Sequence, residues 1–160
     1  MEFMYLEDVD ASPASFRILL VGLHQETVAW IRDSLGPDSF RTEVVESLPF
    51  AEQSAKQNPF AVVVAEQTEH GEGWKALLQQ IRRWSDPPAF LLLSETANPT
   101  LWVEALSLGG FDLLPAMSDS KITALTLRNA VHHWKRTVDV RQARQENPFG
   151  HEKIGKSYVA

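Results

Sequence analysis

Five short apolar runs recur along the chain, each without polar alternation and each followed by a stretch with helical spacing. They are Phe16-Arg17-Ile18-Leu19-Leu20-Val21, residues 40–45, residues 60–65, Ala89-Phe90-Leu91-Leu92-Leu93 and Phe111-Asp112-Leu113-Leu114. Runs of four to six apolar residues are what parallel strands covered on both faces look like. A strand covered on one face only would alternate. Parallel neighbours need a crossover between them, and the intervening segments suit helices.

The punctuation agrees. A helix over 25–35 is stopped by Gly36-Pro37. The next is opened by Ser47 as a cap, with Pro49 in its first turn, and ends near Asn58-Pro59. The third places Trp74, Leu77, Leu78 and Ile81 on one face. Asn98-Pro99 starts a fourth, carrying Trp102, Val103 and Leu106 and closed by Gly109-Gly110. A last helix begins near Lys121 and meets no Gly or Pro through residue 146. Five strand-helix units predict a doubly wound α/β domain with right-handed crossovers. In such a sheet, chemistry gathers in the crevice at the carboxyl ends of the strands. The residues to question are therefore Gly22, Leu23, His24, Ala65, Glu66, Ser94, Glu95, Pro115 and Ala116.

Composition removes several alternatives. The 160 residues are 44% hydrophobic and 22% charged, enough for one full core with something left over. A net charge of −6 argues against a general nucleic-acid binder. There is no cysteine, hence no disulfide, thiolate metal site or cysteine nucleophile. Residues 1–15 carry Glu2, Glu7, Asp8 and Asp10 with no Lys or Arg, unlike a secretory signal. No apolar run is long enough to span a bilayer, so no membrane role and a cytoplasmic location are expected.

With the runs in order, the sequence resembles a response-regulator receiver domain over about residues 16–136. The resemblance rests on Arg17-Ile18-Leu19-Leu20-Val21, on Gly73-Trp74 with Leu77, Leu78, Ile81 and Arg82, and on Gly109-Gly110-Phe111-Asp112-Leu113-Leu114-Pro115. It implies a flavodoxin-like sheet of order 2-1-3-4-5, an acidic tail at 1–15 and a helical extension and linker at 137–160, leading to an output domain. It also implies where a phosphorylation site would lie. The acidic pair that holds Mg²⁺ falls on Gly22 and Leu23, and the phosphate-accepting aspartate on Ala65. The lysine that contacts the phosphoryl group falls on Ala116, followed by Met117, and the rotamer-switching aromatic on Leu113. Ser94 alone keeps its expected hydroxyl.

Mg²⁺ wants near-octahedral oxygen ligation, usually with one or two carboxylates, and Gly22 and Leu23 offer no side-chain oxygen. Without metal or lysine, charge on a transferring phosphoryl group goes unneutralised. Alanine cannot accept the group. The reading is a phosphorylation-independent receiver with no cofactor and no enzymatic activity. Glu66 is a candidate phosphomimetic carboxylate if a bulge turns it into the crevice; regular strand geometry aims it at the opposite face.

Other constellations carry less. Glu66, Glu69, His70 and Glu72 crowd one acidic loop, but consecutive loop residues rarely converge on a metal by themselves, and no metal is expected. His132 and His133 diverge on a helix and suit its surface. No P-loop, dinucleotide fingerprint or nucleophile elbow is present. A residual phosphotransfer or hydrolase reading would rest on Ser94 and Glu66 alone.

The last helix offers a four-three-four stripe of Leu127, Val131, Trp134 and Val138. Its first half, with Ile122 and Leu125, is expected to pack on the sheet. Trp134 and Val138 are expected past the domain body, where they want a partner. Lys121, Arg128, Lys135, Arg136, Arg141 and Arg144 stand on the same segment against only Asp139 and Glu146. In receivers the fourth helix, fifth strand and last helix commonly make a dimer face. The resemblance therefore points to Trp102, Leu127, Val131, Trp134 and Val138 as the interface for a homodimer or another protein partner. The alternative from a different class is a small-ligand sensor using the crevice around Gly22, Ala65, Ser94 and Ala116, made roomier by the small side chains.

Overall fold

The chain alternates strand and helix five times in the computed structural model, which describes residues 16–36, 40–67, 73–96 and 98–146. The elements are β1 (Arg17–Val21), α1 (Gln25–Leu35), β2 (Arg41–Val45), α2 (Leu48–Gln57), β3 (Val62–Glu66), α3 (Gly73–Ile81), β4 (Ala89–Ser94), α4 (Pro99–Ser107), β5 (Asp112–Pro115) and α5 (Ser120–Glu146). All strand pairs are parallel, in the order β2-β1-β3-β4-β5, as expected for a flavodoxin-like sheet.

Alternation along the buried strands sorts their side chains into two cores. Ile18, Leu20, Val62, Val64, Leu91, Leu93 and Leu114 face α1 and α5. Leu19, Val63, Ala65, Phe90, Leu92 and Leu113 face the other way, against Leu48 and Ala51 of α2, Trp74, Leu78 and Ile81 of α3, and Leu101 and Ala105 of α4. The three central strands are covered on both sides, which is why their sequences show no polar alternation.

Helix starts follow their local chemistry unevenly. Asn98 caps α4 by accepting the Leu101 amide at 2.8 Å. Ser47 holds the extended backbone of a cap, but its hydroxyl makes no capping bond. At the end of α4 the chain turns through Gly109, whose φ of +104° suits only glycine. A side chain there would also collide with the Arg82 guanidinium, which donates to the Leu108 carbonyl at 2.9 Å.

The stripe on α5 requires a correction. Leu127, Val131, Trp134 and Val138 are all buried in the chain's own core, Trp134 and Val138 at only 9% exposure each. Trp134 meets Phe16 edge-on at 6.3 Å between ring centres, and its indole N–H donates to the Asp86 carbonyl at 3.4 Å. The helix stays against the body as far as Arg141, which bonds the Ser85 carbonyl and Asp86, five residues past the expected domain end at 136. A four-three-four spacing fits a partner seam or a long helix lying across its own sheet, and here it is the latter. Conversely, Ile122 and Leu125 do not pack on the sheet: they are 54% and 57% exposed, because Thr123 and Ala124 take the inward positions of the first turn. No described helix is long and apolar enough to cross a membrane.

Candidate functional site

At the carboxyl end of the sheet, β1, β3, β4 and β5 deliver the residues expected to matter. Val21 stands level with Ala65 across the β1–β3 pair, so Gly22 and Leu23 leave β1 beside the end of β3. Ser94 stands level with Pro115 across β4–β5, and the Ala116 amide donates to the Ser94 carbonyl at 3.0 Å. The register thus gathers Gly22, Ala65, Ser94 and Ala116 at one edge, with Leu113 buried below in the second core. Gly22 has a φ of +65° and its amide donates to the Val45 carbonyl at 2.9 Å.

Polar chemistry in this crevice is centred on Ser94, buried at 2% exposure. Its hydroxyl donates to Oε1 of Gln67 at 3.0 Å and shares a 3.1 Å contact with the Thr96 hydroxyl. The Thr96 amide in turn donates to the Ser94 oxygen at 3.2 Å. The Gln67 amide reaches back to the Leu93 carbonyl at 2.8 Å, tying the end of β3 to β4. The cluster is neutral: a hydroxyl, an amide and a second hydroxyl answer one another. Gln67 and Thr96 carried no sequence signal, since glutamine two residues after a strand end is ordinary loop chemistry.

Glu66 ends β3 level with Leu93 of β4, half-buried. Its neighbour Ala65 belongs to the second core, so strand alternation directs Glu66 to the first-core side. Glu69, His70 and Glu72 lie outside the described residues. Among the described residues, no group of three or more His, Asp or Glu side chains is placed to hold a metal. His132 and His133 are exposed; the His133 ring lies 5.2 Å from that of Phe111.

Exposed apolar side chains stand on α4 and at the start of α5. The Trp102 indole, 45% exposed, donates to Asp112 Oδ1 at 3.0 Å, which holds its ring at the sheet edge. Val103 on the same helix and Ile122 and Leu125 on α5 are exposed as well. Of the five expected interface residues, Trp102 alone lies open to solvent. Val103, Ile122 and Leu125, also exposed, were not among the interface residues expected from the sequence.

No protein-family profile and no curated protein matches the sequence. Solved structures do match. NtrX from Brucella abortus superposes with a TM-score of 0.65 at 18% identity, covering 80% of this chain and 29% of its own. The signal receiver domain of a LuxO repressor protein from Vibrio parahaemolyticus gives 0.65 at 15% identity, covering 78% of this chain and 95% of that one. The beryllofluoride-activated NtrC4 receiver domain dimer gives 0.62 at 18% identity over 74% and 98%.

The fold is that of response-regulator receiver domains.

At such identities the likeness establishes the architecture, and this chain spans under a third of the NtrX chain. Within the receiver fold, the strand-end crevice presents Gly22, Leu23, Ala65 and Ala116, none of which carries an ionisable side chain.

Proposed function

We propose that this chain is a receiver-like signalling module that works without phosphorylation, through contact with another protein or a second copy of itself. The carrying observation is the crevice. The position for a phosphate-accepting carboxylate holds a buried methyl group, and the neighbouring hydroxyl is engaged by Gln67 and Thr96. Gly22, Leu23, Ala65 and Ala116 would give a phosphoryl group no carboxylate acceptor, metal ligand or lysine. It would also enter a site whose charge nothing balances. On this reading the chain has no enzymatic activity and acts in the cytoplasm, within two-component-type signalling.

The surface for contact is the α4–β5–α5 face. Trp102, bonded to Asp112 of β5, Val103 on α4, and Ile122 and Leu125 on α5 offer exposed apolar area, and indole rings are common interface anchors. The solved NtrC4 receiver is a dimer. A segment joined beyond α5 would be positioned by that pairing.

Two measurements test the reading. Intact mass after incubation with acetyl phosphate and Mg²⁺ should show no added phosphate, and a magnesium-dependent gain of one would refute the loss of phosphoryl transfer. Solution mass should report a dimer that Trp102→Glu or Leu125→Glu converts to monomer. A monomeric native chain would remove self-pairing through this face. A thermal shift with small metabolites would instead favour the ligand-sensor alternative.

A further inference from the structure

The amino end of the sheet carries a cleft that the crevice chemistry leaves unused. About 280 Å³ in volume, it is walled by Lys56 of α2, Pro59 and Phe60 before β3, and Arg83, Trp84 and Asp86 before β4. Glu52 and Ser85 complete its rim. Cations gather here although the chain as a whole bears −6. Arg17 opens β1 and Arg41 opens β2, Lys56 lies in the last turn of α2, and Arg83 follows α3. Arg17 pairs with Glu43, and Arg141 with Asp86 at 3.3 Å. Among the described residues, Lys56, Arg41 and Arg83 make no ion pair. The macrodipole favours a cation at the end of a helix, which accounts for Lys56. The same holds for Arg83, whose amide bonds the Gln80 carbonyl in the turn ending α3, but not for the arginines that open strands.

The opposite end of the sheet is acidic. Glu26 opens α1, Glu46 follows β2, Glu66 ends β3, Glu95 follows β4 and Asp119 precedes α5. The cleft therefore suits an occupant with carboxylates and at least one apolar group to cover Trp84, which is half-buried.

The chain contains such a segment, and it joins the body at this end. Residues 1–15, outside the described residues, hold Glu2, Glu7, Asp8 and Asp10, no Lys or Arg, and the apolar run Phe3-Met4-Tyr5-Leu6. The segment meets the body at Phe16, whose carbonyl accepts the Arg41 amide at 3.0 Å. One residue on, the Arg17 guanidinium lies 4.1 Å over the ring of Phe60, a wall of the cleft. At about 3.3 Å per residue, the stretch from residue 7 to residue 15 can reach roughly 30 Å, ample for a cleft this near.

We propose that residues 2–10 dock on the amino-end cleft of their own chain, the apolar run against Trp84 and the carboxylates toward Lys56, Arg83 and Arg41. The inference is independent of whether the carboxyl end takes phosphate. Docked there, the segment would shield an aromatic and basic surface from other acidic partners.

Zero-length crosslinking of the full chain tests this. A water-soluble carbodiimide joins a carboxylate to a lysine only when the two touch. At low salt, Glu7, Asp8 or Asp10 should link to Lys56 within the monomer, several-fold more than to Lys121 or Lys135 on α5. The Lys56 link should fall several-fold in about 0.5 M NaCl, where charges more than a few ångströms apart are screened. It should fall likewise in Arg83→Glu, an exposed position whose fold is checked by circular dichroism. Tail links spread evenly over the three lysines, or absent altogether, would overturn the proposal. So would links confined to a covalent dimer, which would place the segment on a second copy, or a Lys56 link unchanged in Arg83→Glu.

Discussion

The two ends of one sheet have been put to opposite uses. At the carboxyl end, Gly22, Leu23, Ala65 and Ala116 line the crevice inside a rim of carboxylates, and a serine hydroxyl is answered by an amide and a threonine. At the amino end, an arginine stacks on phenylalanine, a tryptophan bonds a loop carbonyl, and a second arginine ties the last helix to the loop before β4. A shared architecture leaves the distribution of charge free. Burial fixes the strands, while the loops at either end carry whatever chemistry their few residues supply.

The contrast can be broken by mutation. The largest effect is expected for Trp134→Ala, which empties a core position at the amino end and should lower unfolding free energy by about 3–5 kcal/mol in urea titrations. A loss below about 1 kcal/mol would mean that α5 is not seated on the body as described. Ala65→Asp places a carboxylate at a position only 3% exposed, and should cost about 3 kcal/mol at neutral pH. If that variant is as stable as the parent, the position is open to solvent rather than buried. Gly109→Ala should cost about 1–3 kcal/mol, because its left-handed backbone and the adjacent Arg82 both oppose a side chain. Ser94→Ala should cost about 1 kcal/mol by leaving Gln67 and the Thr96 amide without their shared partner. The smallest effect is expected for Arg141→Ala, under about 1 kcal/mol, since its pairing with Asp86 is partly exposed to solvent.

The buried strands β1, β3 and β4 were legible because burial on both faces writes itself as apolar runs, while the strand order followed only from the resemblance to receiver domains. The α4 cap was legible in Asn98-Pro99, and the register carried Gly22, Ala65, Ser94 and Ala116 to one edge as expected. The stripe on α5 was not. Leu127, Val131, Trp134 and Val138 repeat at an interval that serves a partner helix or the chain's own sheet equally well, and only the docking of α5 on α1 and the sheet decides between them. Ile122 and Leu125 looked like core by composition, yet Thr123 and Ala124 fill the narrow space at the start of the helix. The Ser94–Gln67 bond was hidden for another reason: it joins residues 27 positions apart through a side chain with no distinctive spacing.

Gly22 bears on how this crevice can change over evolutionary time. Its φ of +65° is a conformation that a side chain makes costly, by roughly 1–2 kcal/mol for most residues. A mutation placing a carboxylate at that spot would begin with this handicap, and Leu23, Ala65 and Ala116 would offer it no second carboxylate or cation. Single substitutions there therefore change the backbone's comfort before they change the crevice's chemistry.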